Sequence, residues 1–143
     1  MKIVLKPNTV ITMIGCSHSG KSVMSYHIKQ YLESIGKSCV ILESDRLRKE
    51  MLHLPLDANI PTAEGFAISE LVFKKLKTDL NYYMQSPCNT DVIIVDTTGL
   101  DLSFREEIAK ITKSNDYVNQ ALIFQLSKQV VFSRVYGEES EVS

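Results

Sequence analysis

The chain has 143 residues, of which 44% are apolar and 23% charged, with a formal net charge of −1 and no tryptophan. That length holds one ordinary hydrophobic core, and the composition is that of a folded globular protein rather than a disordered or fibrous one. A protein that grips a long nucleic-acid backbone is normally basic, so this balance excludes that class and leaves only a strand end as a nucleic-acid partner. Cys16, Cys39 and Cys88 form no Cys-x-x-Cys pair, which argues against a disulfide framework or zinc site and for a reducing compartment. No apolar run reaches the length of a membrane span, and Met1–Pro7 has no signal-peptide cleavage site, so a cytoplasmic location is expected.

In chain order, Lys2–Leu5 reads as a short strand and Lys6-Pro7-Asn8 as a turn. Thr9–Ile14 is an apolar run of the kind that forms a buried strand, and Lys21–Ile35 has helical spacing. Val23, Tyr26 or His27, Ile28, Tyr31, Leu32 and Ile35 are its expected apolar positions, and Gly36 is its stop. Ser38–Leu42 is a second strand, closed by Glu43-Ser44, and Asp45–Leu52 a short helix. Pro55 and Pro61 bound a loop, and Thr62 is the expected N-cap of one long helix reaching Gln85. Phe66, Leu71 or Val72, Leu76, Leu80 and Met84 line one side of it, whereas Lys74, Lys75, Lys77 and Asp79 fill another, read as a solvated face ahead of a nucleic-acid contact. Asp91–Asp96 is a third buried strand, Ser103 and Glu106 make a capping box for a helix to Lys113, and Ala121–Leu126 is a fourth strand. A helix over Ser127–Tyr136 and a frayed acidic stretch from Gly137 to Glu141 close the reading. Strands alternating with helices predict an α/β fold, a three-layer parallel sheet whose cleft lies at the strands' carboxyl ends.

Between the first strand and its helix stands Gly15-Cys16-Ser17-His18-Ser19-Gly20-Lys21-Ser22, which fits Gly-x-x-x-x-Gly-Lys-[Ser/Thr]. The glycines let backbone N–H groups converge on phosphate oxygens, and the helix N-terminus aims its partial positive charge at the same anion. Lys21 supplies a point charge for the β- and γ-phosphates, and the Ser22 hydroxyl is a ligand for Mg²⁺. Those eight residues are the expected binding set for a nucleoside triphosphate such as ATP, in the topology of the phosphate-loop (P-loop) nucleotide kinases.

Asp45 follows the second strand, and Arg48 shares its face on a helix. A kinase uses such a pair to take a proton from the attacking hydroxyl and to grip an anion on the acceptor. The spacing alone fits equally a capping aspartate with a surface arginine. Asp96 ends the third apolar run, where it is placed to hold Mg²⁺ beside Ser22, to orient Arg48, or to cap the strand end. Arg134 is placed to reach the triphosphate from a lid, whereas Arg105, at a helix start, reads as a surface residue. His18, His27 and His53 have no metal-ligand spacing.

Taken together, the phosphate loop, Ser44-Asp45-x-x-Arg48 and Ile93-Ile94-Val95-Asp96-Thr97 resemble the 5′-hydroxyl polynucleotide kinase family in order and spacing. The resemblance implies an ATP- and Mg²⁺-dependent phosphotransferase acting on the 5′-OH of a polynucleotide. It casts Asp45, Lys21 and Arg134 as catalytic, Arg48 and Asp96 as substrate-binding, and Ser22 and Asp96 as metal ligands. The chain departs from the family in Thr98, where an asparagine is common, and in the acidic stretch from Glu138 where the family's lid is basic. Two other readings stay open: a small-molecule kinase of the adenylylsulfate, sugar or antibiotic type, and a nucleotide-binding module without turnover.

Overall fold

The apolar runs do form a parallel sheet. The computed structural model describes residues 8–15, 20–97 and 102–123. Within them β1 (Thr9–Ile14), β2 (Cys39–Glu43), β3 (Val92–Thr97) and β4 (Val118–Ile123) pair in the order β2-β3-β1-β4, every pair parallel. The two central strands, β1 and β3, have helices over both faces, which is why they read as unbroken apolar runs rather than alternating ones.

Side chains alternate across the sheet and build two cores. Ile11, Met13, Cys39, Ile94 and Leu122 pack against Ile28 and Leu32 of α1 (Lys21–Ser34). On the opposite face Val10, Leu42, Ile93 and Val95 meet Leu76, Leu80 and Met84 of α4 (Ser69–Met84) and Phe104 and Ile108 of α5 (Leu102–Ser114). The short α2 (Ser44–Met51) and α3 (Thr62–Ala67) lie between β2 and α4 in the chain. The α/β expectation therefore holds, with four parallel strands among the described residues.

Three details differ from the sequence expectation, and one open choice is decided. The single helix over Thr62–Gln85 is two, α3 and α4, broken at Ile68, where Gly65 and the capping-type Ser69 weaken a continuous helix. On α1 the buried positions are Ser25, Ile28 and Leu32, while Val23, Tyr31 and Ile35 are exposed. The fourth strand begins three residues early, because β1 fixes its register from Thr9↔Val118 to Ile14↔Ile123. On α4, Val72 is 0% and Leu71 59% exposed, which decides between the two positions the sequence left open. The expected strand at Lys2–Leu5, the helix over Ser127–Tyr136 and the acidic stretch after it lie outside the described residues. Among the described residues no helix is long and apolar enough to cross a membrane.

Candidate phosphotransfer site

At the carboxyl end of β1 the chain enters the phosphate-loop motif. Gly15 and Gly20 are described; Cys16, Ser17, His18 and Ser19 lie outside the described residues, as does Arg134. Gly20 takes φ 91° as the residue that caps α1, a left-handed conformation that a side chain would strain. No side chain caps the helix there, so the first-turn amides are available to an anion at the positive end of the helix dipole.

One residue into α1, the Ser22 hydroxyl donates to Asp96 Oδ2 at 3.0 Å. Asp96 is buried near the carboxyl end of β3 and stands in register with Met13 on one side and Glu43 on the other. One turn further along α1, the Tyr26 hydroxyl donates to Glu43 Oε1 at 2.8 Å. That bond to a carboxylate, with some burial, holds the Tyr26 phenol above its ordinary pKa. Two successive turns of α1 thus each bond an acidic residue of neighbouring strands. Ser22 and Asp96 present hard oxygen donors side by side, a donor set that suits Mg²⁺.

On the other face of the sheet, Arg48 Nη1 donates to Asp45 Oδ1 at 3.1 Å; the Arg48 side chain is 11% exposed and that of Asp45 41%. Arg48 is therefore no surface residue. Its Nη2 donates to Ser69 Oγ at 3.4 Å, and its guanidinium lies 5.4 Å from the centroid of the Phe73 ring. Arg48 thus has partners on α2 and α4, and Asp96 has one on α1.

Among the described residues three buried side-chain atoms lack a hydrogen-bond partner: Ser44 Oγ, next to Asp45 in the chain, Thr97 Oγ1 and Arg105 Nε. Ser44 and Thr97 terminate or follow adjacent strands, and Thr97 continues the alternation of Ile93 and Val95 toward α4 and α5. The Arg105 expectation is corrected in part: the residue is half-buried with its Nε out of water, and its neighbour Phe104 is buried against the Phe73 ring, centroids 4.5 Å apart and tilted at 41°. Orphaned buried donors and acceptors are costly unless a ligand meets them.

Beside Asp45 a cleft of about 220 Å³ is lined by Tyr26, Glu43, Asp45, Arg46, Lys49 and Leu56. Lys49 Nζ donates to the Leu56 carbonyl at 2.7 Å, which ties the following loop to α2. The motifs mark Ser22, Asp45, Arg48 and Asp96. Ser44 and Thr97 lie inside those motifs without a role assigned to them; Ser69, Phe73 and Arg105 lie outside, and Ser69 had a local signal as a capping-type residue followed by Glu70.

A family model described as 6-phosphofructo-2-kinase matches residues 2–133. That is a different family from the polynucleotide kinases whose motifs the sequence resembles. No curated protein matches by sequence. Among solved structures the chain is similar to a mutant APS kinase of Mycobacterium tuberculosis, at 16% identity and TM-score 0.60, covering 87% of this chain and 83% of that one. It is similar to the same kinase in complex with AMPPNP and APS, at 17% identity and TM-score 0.58, covering 82% of this chain and 62% of that one. A candidate kinase from Chloroflexus aurantiacus gives 12% identity and TM-score 0.62, covering 84% of this chain and 60% of that one. At such identities the likeness shows the fold, which is that of P-loop kinases.

Proposed function

The chain belongs to the 6-phosphofructo-2-kinase family, and from that premise we propose that it transfers the γ-phosphate of ATP to a hydroxyl of a small anionic acceptor, of the phosphorylated-sugar class. The observation that carries the reading is the Asp45–Arg48 pair at 3.1 Å, which follows the buried, unpartnered Ser44 hydroxyl in the chain. A carboxylate to take the hydroxyl proton and a guanidinium to hold an anion are the two groups that such a transfer requires on the acceptor side. Buried donors without partners fit an acceptor that brings phosphate oxygens and hydroxyls to them.

On the donor side, Gly15–Ser22 would cradle the triphosphate, with Lys21 beside its β- and γ-phosphates and Arg134 as the candidate lid arginine. Ser22 and Asp96 would hold Mg²⁺, which when bound screens the phosphate charge. The match of one neighbour to a complex with AMPPNP is in keeping with nucleotide use. We read residues 1–143 as one kinase domain.

A polynucleotide 5′ end is the second reading, because Ser44-Asp45-x-x-Arg48 also fits a terminal hydroxyl beside a phosphate. Two of the α4 lysines that would track a strand are engaged elsewhere: Lys75 pairs with Asp79 at 3.2 Å and Lys77 with Glu107 at 3.3 Å. That favours the small acceptor.

Transfer of labelled γ-phosphate to fructose 6-phosphate, fructose and a 5′-OH oligonucleotide separates these readings. Transfer to fructose 6-phosphate is expected, reduced about 10²- to 10⁴-fold in Asp45→Asn with nucleotide affinity retained. Transfer to the oligonucleotide alone would install the second reading. Nucleotide binding without transfer to any acceptor would leave a non-catalytic module, and undiminished transfer by Asp45→Asn would remove the assigned base.

A further inference from the structure

Arg48 is held from three sides, by Asp45, Ser69 and Phe73. We propose that Ser69 and Phe73, in the first two turns of α4, are positioning residues that pre-set the Arg48 guanidinium for the acceptor and thereby set which acceptors the site takes. The proposal rests on the reading that Arg48 binds the acceptor's anionic group.

The hydrogen bonds have a direction. Ser69 Oγ donates its proton to the Gly65 carbonyl at 3.0 Å, so its lone pairs are turned toward other donors, and Arg48 Nη2 supplies one at 3.4 Å. Nη1 is engaged by Asp45 at 3.1 Å. The plane of the guanidinium is further constrained by the Phe73 ring, 5.4 Å away, which attracts a cation to its face. Phe73 is itself fixed by its stack on Phe104 of α5.

The backbone is shaped to allow this. A Cβ on Gly65 would stand 2.9 Å from Ile60 Cγ2 and 4.0 Å from Arg48 Cδ. Glycine at 65 therefore lets α3 lie against Ile60 of the loop before it, with the Gly65 carbonyl in reach of Ser69. The Ser69 hydroxyl bonds the carbonyl four residues back, so it is fixed by the backbone that joins α3 to α4.

An arginine side chain left free loses rotamer freedom when it binds, and a guanidinium recognises a phosphate or carboxylate well only when its fork is aligned. Holding Arg48 in advance removes that loss and favours acceptors whose anion arrives in the plane the site has chosen. Ser69 and Phe73 contact Arg48, so their effect falls on the acceptor.

The test uses the full chain, with fructose 6-phosphate as acceptor. In Ser69→Ala and Phe73→Leu the KM for fructose 6-phosphate is expected to rise about five- to twentyfold, with the KM for ATP and the acceptor-free ATP hydrolysis unchanged. Phe73→Tyr, which keeps the ring face, should return the wild-type KM. In an Arg48→Met background, Ser69→Ala should add nothing further. An unchanged acceptor KM, or a Ser69→Ala effect that survives without Arg48, overturns the proposal. Absence of transfer by the wild-type protein would overturn the functional reading instead. The inference is then read without turnover from the Arg48 Nε–H signal in ¹⁵N spectra: faster solvent exchange in both variants supports it, and an unchanged rate overturns it.

Discussion

Ser22 and Asp96, 74 positions apart, meet with oxygens 3.0 Å apart, and each was marked in the sequence by its own short motif. If they hold Mg²⁺ together, Asp96→Asn keeps a hydrogen-bonding side chain while removing the charge. The Mg²⁺ concentration for half-maximal AMPPNP binding should then rise about tenfold or more by calorimetric titration; an unchanged requirement would place the metal elsewhere. Cys39 makes a different kind of prediction. Burial pushes its thiol up from 9.0 to about 11. The folded value lies above the unfolded one, so the contribution is complete below pH 9 and is lost as pH rises toward 11. Wild-type protein should lose on the order of 2 kcal/mol over that window from this thiol alone. Urea unfolding at stepped pH should show a flatter alkaline limb in Cys39→Ala, and identical slopes would remove the linkage. The reactive residues were legible because their chemistry demands adjacent sequence: Lys21 beside Ser22, Asp45 three before Arg48. Arg105 was misread because its burial depends on Phe104 meeting Phe73 of α4, a contact between segments that no local pattern contains.

Elements were legible to the extent that burial is one-sided and periodic. On α4 the period held, and Val72, Leu76, Leu80 and Met84 are the buried set. Leu76→Ala should lower stability by about 2–5 kcal/mol in denaturant unfolding, while Leu71→Ala stays within about 0.5 kcal/mol. A reversal of that order would mean that α4 is rotated from the face described. On α1 the apolar pattern misled, because Val23, Tyr31 and Ile35 are exposed and Ser25 is buried; a helix whose first turn serves a phosphate loop is oriented by that loop as well as by hydrophobicity. The early start of β4 was hidden for a related reason. Val118-Asn119-Gln120 is too polar to read as a buried strand, yet Gln120 is buried and the Tyr117 hydroxyl, bonded to the Thr90 carbonyl, anchors the strand's entry. Pairing with β1 supplies what local propensity does not.

At the scale of the molecule, the strand order β2-β3-β1-β4 separates the two halves of the proposed reaction. The chain leaves β1 into α1 on one face and leaves β3 into α5 on the other, so β1 and β3 flank the point at which the connections diverge. Open parallel sheets bind ligands at such a crevice. Asp96 turns toward α1 and the phosphate loop, and Thr97, one residue on, toward the Asp45–Arg48 side. On the proposed reading, alternation along β3 puts the candidate metal ligand Asp96 and the acceptor-side Thr97 on opposite faces of one strand end. A ligand in this crevice joins segments that are far apart in sequence, and its binding should be visible as added stability of the whole fold. With Mg²⁺ and AMPPNP at 100 times its Kd, mass action adds about 2.7 kcal/mol, which for a domain of this size is roughly 8–10 °C in Tm. Lys21→Ala should abolish that shift at the same nucleotide concentration while leaving the Tm of the free protein nearly unchanged. An equal shift in Lys21→Ala would mean that the nucleotide binds away from the loop, and the assignment of the two faces would fall with it.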